Sequence, residues 1–260
     1  MRHLMLIPTL ALAAAAPLAR AQLHTGDITL TVANEHILTG SGNAANGAFI
    51  ENRVVGAVLG NPFPNFTNNP GFDSLAGTFP VGSAVGFNLL DALLVWNGSS
   101  FEATGGEVMQ VSFLSAAAVT GAGPVPGFTV GVSGTGAWHT HLGFLLQQGA
   151  SPTLDNGVYL LELELYGTAP GVGASRPLFM LFRRNASQAD LDAAAAYVAA
   201  NLLNPAVPGD ANGDGLVNFT DLNIVVSDFN ASGANLPGDL DDDGDVDFSD
   251  LNLVLSNFNT

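Results

Sequence analysis

An Asp-rich stretch near the end of the chain occurs twice, and it limits the fold more than any other feature. Asp210-Ala211-Asn212-Gly213-Asp214-Gly215-Leu216-Val217-Asn218-Phe219-Thr220-Asp221 recurs 29 residues later as Asp239-Leu240-Asp241-Asp242-Asp243-Gly244-Asp245-Val246-Asp247-Phe248-Ser249-Asp250. Each copy runs into a similar apolar stretch, Leu222 to Phe229 and Leu251 to Phe258, that predicts a helix. Calcium takes six to eight oxygen ligands at about 2.3–2.6 Å, and a twelve-residue loop supplies them from positions 1, 3, 5, 7, 9 and 12. In the first copy these are Asp210, Asn212, Asp214, the carbonyl of Leu216, Asn218 and Asp221. In the second they are Asp239, Asp241, Asp243, the carbonyl of Asp245, Asp247 and Asp250. Gly215 and Gly244 stand at position 6, where the loop must turn sharply. Val217 and Val246, at position 8, can tie the loops to a core. The expected cofactor is therefore calcium, two ions per chain. Full register between the copies argues against a merely disordered acidic tail.

Charge supports the same division of the chain. Of 260 residues, 23 are acidic and six basic, for a net −17, and no Lys occurs. Residues 206–260 hold eleven Asp and no basic residue. Phosphate contacts need clustered Lys and Arg, so a nucleic-acid partner is excluded. With seven acids in the twelve-residue second copy, self-repulsion opposes the metal-free fold, and calcium should govern folding of 206–260. The absence of Cys excludes disulfides and thiolate metal sites.

The repeated pattern Asp-x-Asn/Asp-x-Asp-Gly-x-Val, with Asp at position 12 and a following Leu, strongly resembles the type I dockerin over 209–260. That resemblance implies a small α module of two calcium loop–helix repeats, and a cohesin-like protein partner. In that family, partner contacts come from loop positions 10 and 11 and from basic residues on the next helix. Here those positions are Phe219-Thr220 and Phe248-Ser249, and the basic residues are missing.

The rest of the chain reads as an exported β domain. A basic start (Arg2, His3), an apolar run from Leu4 to Leu18 and Ala19-Arg20-Ala21 predict a signal peptide over 1–21. No later segment reads as a membrane span. The expected division is a β domain over 22–204, a Pro/Gly linker over 205–209 and the calcium module over 210–260. Strands are predicted at 27–33, 48–59, 84–96, 107–114, 128–133, 138–147, 157–166 and 177–183, bounded by Gly, Pro and Asn clusters. Ser187, with Asp190 three residues on, predicts the start of one late helix. The fold class expected is mainly β: a β-sandwich or jelly roll with one late helix, then the small α module. Through the block from Pro70-Gly71-Phe72-Asp73 to Pro80, with Asp91 to Gly98 after it, residues 22–205 resemble uncharacterised secreted bacterial β-proteins, a resemblance that implies no activity.

A second metal site is suggested by His139 and His141. Strand alternation puts Trp138, Thr140, Leu142 and Phe144 on a core face and the two His opposite. Likewise Tyr159, Leu161, Leu163 and Leu165 leave Glu162 and Glu164 opposite. If the two strands form a hairpin, the His and Glu pairs share one surface, where zinc or copper could bind. The plainer reading is a solvated face with compatible cross-strand pairs. A cleaved terminus Gln22-Leu23-His24 offers a further copper chelate. Enzymatic motifs are absent: no Gly-x-Ser-x-Gly, phosphate loop or His-Glu-x-x-His occurs.

The functional expectation is a secreted, modular calcium-binding protein acting in assembly at or outside the cell surface. The dockerin resemblance adds a polysaccharide-degrading context, with a polysaccharide as ligand of the β domain. Two alternatives stand beside it: a glycoside hydrolase or polysaccharide lyase, and an extracellular zinc- or copper-binding protein using His139 and His141.

Overall fold

A computed structural model describes residues 26–33, 35–42, 48–148, 153–203, 207–212, 215–233, 236–241 and 243–259. The expected leader over 1–21, residues 205 and 206 of the expected linker, and Asp214 lie outside them. In chain order the first strands are β1 (Ile28–Ala33), β2 (His36–Ser41), β3 (Ile50–Glu51), β4 (Val54–Val58), β5 (Phe66–Thr67), β6 (Phe72–Ser74) and β7 (Ala84–Leu89). Then follow β8 (Leu94–Trp96), β9 (Phe101–Ala103), β10 (Val108–Phe113), β11 (Ala116–Val119), β12 (Val125–Gly131), β13 (Gly143–Gln147), β14 (Gly157–Gly167) and β15 (Leu178–Arg184). The helices are α1 (Gln188–Asn201), α2 (Phe219–Asp228) and α3 (Phe248–Ser256).

The described strands form three sheets. Two have four strands, in the orders β3-β2-β1-β6 and β11-β10-β13-β5. The third has seven, with β12-β7-β14-β15-β4 as its path and β8 and β9 attached at β14. Most neighbours are antiparallel, but β1 pairs parallel with β6, and β15 parallel with β4.

The middle of the largest sheet, at β14 and β15, is buried on both faces, for a reason visible in its sequence. Along β14, Tyr159, Leu161, Leu163 and Leu165 enter the main core, while Val158 and Leu160 enter a second cluster under α1. On β15, Met180 and Phe182 face the main core, and Phe179 and Leu181 meet α1. Unbroken apolar runs, here Val158 to Leu161 and Leu178 to Phe182, mark stretches covered on both sides. Leu191, Ala194 and Val198 of α1 supply that cover. Ser187 starts the helix: its Oγ accepts from the Asp190 N–H at 3.1 Å, and its own N–H donates to Asp190 Oδ2 at 3.0 Å.

These observations correct the expected fold class. The β-rich part holds, but the described strands make three sheets instead of one two-layer sandwich or jelly roll. The α part is small, with α1 mid-chain and only α2 and α3 near the C-terminus. Among the described residues, the hairpin considered between 138–147 and 157–166 does not form. β13 pairs with β10 and β5, and β14 with β15, β7 and β8.

In the C-terminal part, Val217, Val225, Val246 and Val254 form a separate small core. Its halves are exchanged. Gly209, just before the first Asp-rich loop, lies against Leu253 and Val254 of α3, where a Cβ would come within 2.6 Å of the Leu253 carbonyl oxygen. Gly238, just before the second loop, lies against Val225 of α2. Asn259 N–H donates to the Val217 carbonyl and Asn230 N–H to that of Val246, both at 2.8 Å. No helix among the described residues is long and apolar enough to cross a membrane.

Candidate metal centres

The two Asp-rich loops share one internal wiring. Position 6 is a glycine with positive φ in both, Gly215 at +81° and Gly244 at +94°, a conformation that residues with a Cβ avoid. Its N–H donates to the position 1 carboxylate, Gly215 to Asp210 at 2.6 Å and Gly244 to Asp239 at 3.0 Å. The position 12 carboxylates, Asp221 and Asp250, are buried. Asp221 accepts from the N–H groups of Asn212 and Asn218, and Asp250 from Leu240, Asp241 and Asp247. The position 9 side chains, Asn218 and Asp247, cap α2 and α3 by accepting from Thr220 and Ser249 N–H. Loop and helix are thus one hydrogen-bonded unit.

The second loop gathers charge. Asp239, Asp241 and Asp243 can each bring one carboxylate oxygen within 4.8 Å of the others. Asp239 Oδ1 is buried with no hydrogen-bond partner. Loss of water, together with Asp243 and Asp250, holds the Asp241 carboxyl above its usual range. Asp243 first, then loss of water and Asp247, does the same to Asp245. Asp250 goes the other way: burial pushes it up, but backbone N–H bonds from Asp247, Leu240 and Asp241 outweigh that and lower it. A divalent cation would relieve the crowding, and the oxygen-only donor set suits calcium. Leu216 and Asp245, expected to offer position 7 carbonyls, lie on the exposed side of their loops.

His139 and His141 do come together, but with different partners from those expected. Thr140, between them, exchanges backbone hydrogen bonds with Phe72: Phe72 N–H to the Thr140 carbonyl at 2.8 Å and the reverse at 2.9 Å. Parallel pairing of β1 with β6 then sets Thr29 opposite Asp73 and brings Asp27, just before β1, to the same place. The His rings stand 5.1 Å apart between centroids. Asp27 Oδ2 lies 3.5 Å from His141 Nε2 and 4.0 Å from His139 Nδ1, and Asp73 Oδ1 lies 3.5 Å from His139 Nδ1. Trp138, Thr140, Leu142 and Phe144 are buried, as the alternation predicts.

Glu162 and Glu164 are elsewhere, which corrects the expected His/Glu cluster. Both are on β14, whose neighbour on that side is β7. Glu164 accepts from Asn88 Nδ2 at 2.8 Å. Burial, and then Asp91, raises the Glu162 carboxyl above its usual range. The error came from pairing two strands for being consecutive in sequence. Sequence reasoning missed Asp27 and Asp73 as partners of the His pair. Asp73 entered the sequence reading only as part of the block from Pro70 to Pro80, and nothing local links either residue to 139–141.

No family model matches the chain, and no curated protein matches it in sequence. That result, with the three short helices, overturns the resemblance to a type I dockerin. A tandem EF-hand needs a helix on each side of both loops. Here each loop is entered from a turn, at Gly209 or Gly238, and leads into one helix, α2 of 10 residues or α3 of nine. The cohesin-like partner and the polysaccharide context rested on that resemblance and lose their support with it. The similarity of the β part to secreted bacterial β-proteins gains none.

Proposed function

We propose that this is an exported calcium-binding protein whose two Asp-rich loops each hold one calcium ion and thereby fix the C-terminal segment. The ligands are Asp210, Asn212, Asp214, Leu216 (carbonyl), Asn218 and Asp221 in one loop. In the other they are Asp239, Asp241, Asp243, Asp245 (carbonyl), Asp247 and Asp250. The observation that carries the reading is Asp239 Oδ1, a buried carboxylate oxygen with no partner, beside Asp241 and Asp243. An anionic oxygen held away from water costs free energy unless a cation or donor meets it. Calcium would supply that charge, and its binding energy would add to the stability of the small valine core. Export is supported by the leader-like pattern over 1–21.

Isothermal titration of the full chain, first stripped with chelator, tests this. Two calcium ions should bind, one being lost in Asp221→Asn and the other in Asp250→Asn. Calcium should also protect residues 207–259 from limited proteolysis. Extracellular loops bind at about 10⁻⁴–10⁻³ M. No heat and no protection up to roughly tenfold beyond that range would defeat the proposal.

A further inference from the structure

We propose that Asp27, His139 and His141 form a zinc site on the β-rich part of the molecule, independent of the calcium loops. Three features favour a metal over a plain ion-pair cluster.

The first is an orphan acceptor. The Asp27 side chain is only 7% exposed, and its Oδ2 is buried with no hydrogen-bond partner while pointing at both His rings. Its other oxygen is satisfied, accepting the Gly71 N–H at 2.9 Å, so the carboxylate is held in place.

The second is the tautomer. His141 Nδ1 lies 2.8 Å from the Asn68 carbonyl oxygen. A carbonyl only accepts, so Nδ1 carries a proton, and the nitrogen turned toward Asp27 is Nε2, the one left to bind a metal. Nε2 and the Asp27 oxygen stand 3.5 Å apart with no hydrogen bond between them, a spacing that a cation held by both explains. Fixing a His ligand by a carbonyl on its far nitrogen is the usual outer support of a metal site. Gly71 makes room for this ring, since a Cβ there would come within 2.6 Å of it.

The third is size and charge. Zinc bonds to N and O of about 2.0–2.2 Å at tetrahedral angles require ligands about 3.3–3.6 Å apart. The Asp27 oxygen stands 3.5 Å and 4.0 Å from the two His nitrogens, so a small rotation of the His139 ring closes the site. Two imidazoles and a carboxylate suit zinc better than calcium or magnesium, which prefer oxygen alone. Asp73, 3.5 Å from His139, brings the second negative charge that neutralises a divalent ion. The His139 side chain is 40% exposed, so the fourth position faces solvent and can take water or an exogenous ligand.

The test is zinc chloride titrated into the full chain by calorimetry, with excess calcium present to occupy the acidic loops. One zinc ion should bind at micromolar concentration or tighter. The His139→Ala/His141→Ala double variant should weaken it by at least about 100-fold, the upper end of what loss of outer support alone costs. Asp27→Asn should do the same, and Glu162→Gln/Glu164→Gln should change nothing. Far-UV circular dichroism and thermal melting check that each variant is folded. Should Asp27→Asn misfold, the His pair, with partly exposed rings, keeps the test decisive. Absence of zinc binding in the wild type, or binding undiminished in the folded double His variant, would overturn the assignment. Neither result bears on calcium, which is read separately from its own stoichiometry.

Discussion

Phe219, the first residue of α2, packs edge-on against Phe258 at the far end of the chain, with ring centroids 5.0 Å apart. Phe229 and Phe248 repeat the contact in reverse at 5.1 Å. Each repeat therefore places the ring that opens its helix against the ring that follows the helix of the other. Edge-to-face pairs contribute about 0.5–1.5 kcal/mol beyond area burial. A double-mutant cycle with Phe219→Ala and Phe258→Ala, followed by calcium-dependent melting of the C-terminal segment, should return a coupling in that range. Purely additive losses would mean the rings touch without contributing.

Gly71→Ala should damage the zinc site while sparing the fold elsewhere. The added methyl meets the His141 ring, and the ring must leave the Asn68 carbonyl to make room. We expect zinc affinity to fall about 10–100-fold, the usual effect of losing outer support. Gly134→Ala, where a Cβ meets nothing within 4 Å, is the control and should bind as wild type.

Tyr159 gives the molecule an alkaline limit. Its hydroxyl donates to the Asp155 carbonyl at 2.7 Å. Burial first, then the charges of Glu107 and Asp155, push the phenol up to about 12. In the unfolded chain it ionises near 10. Between those values the unfolded state gives up a proton that the folded state keeps, so stability falls as pH rises. Below about pH 10 the contribution is constant. Urea denaturation of wild type and Tyr159→Phe should show a gap that shrinks in favour of the variant from pH 10 to 12. A gap independent of pH would show that the phenol titrates alike in both states.

What the sequence disclosed depended on how far apart the interacting residues lie. The two Asp-rich loops were legible because each is complete within twelve residues and carries its own caps at Asn218 and Asp247. The buried faces at Trp138 to Phe144 and Tyr159 to Leu165 were legible because strand alternation is local. The neighbours of those strands were not. Asp27 reaches His141 only through two backbone pairings, β1 with β6 and Phe72 with Thr140, each joining segments more than 40 residues apart. Glu162 and Glu164 went astray for the same reason, since β14 takes its partner from β7, about 75 residues upstream, with Leu163 opposite Leu89. Turn chemistry punctuates a chain but does not say which edge a strand will find.

The exchanged halves of the C-terminal core bear on how such a duplication can change. Gly209 rests on α3 and Gly238 on α2, so each copy is walled in part by the other. A copy that drifted in sequence would spoil its twin's fit as well as its own. The pair is held to a shared history, and one repeat by itself would keep its acids without the surface that gathers them.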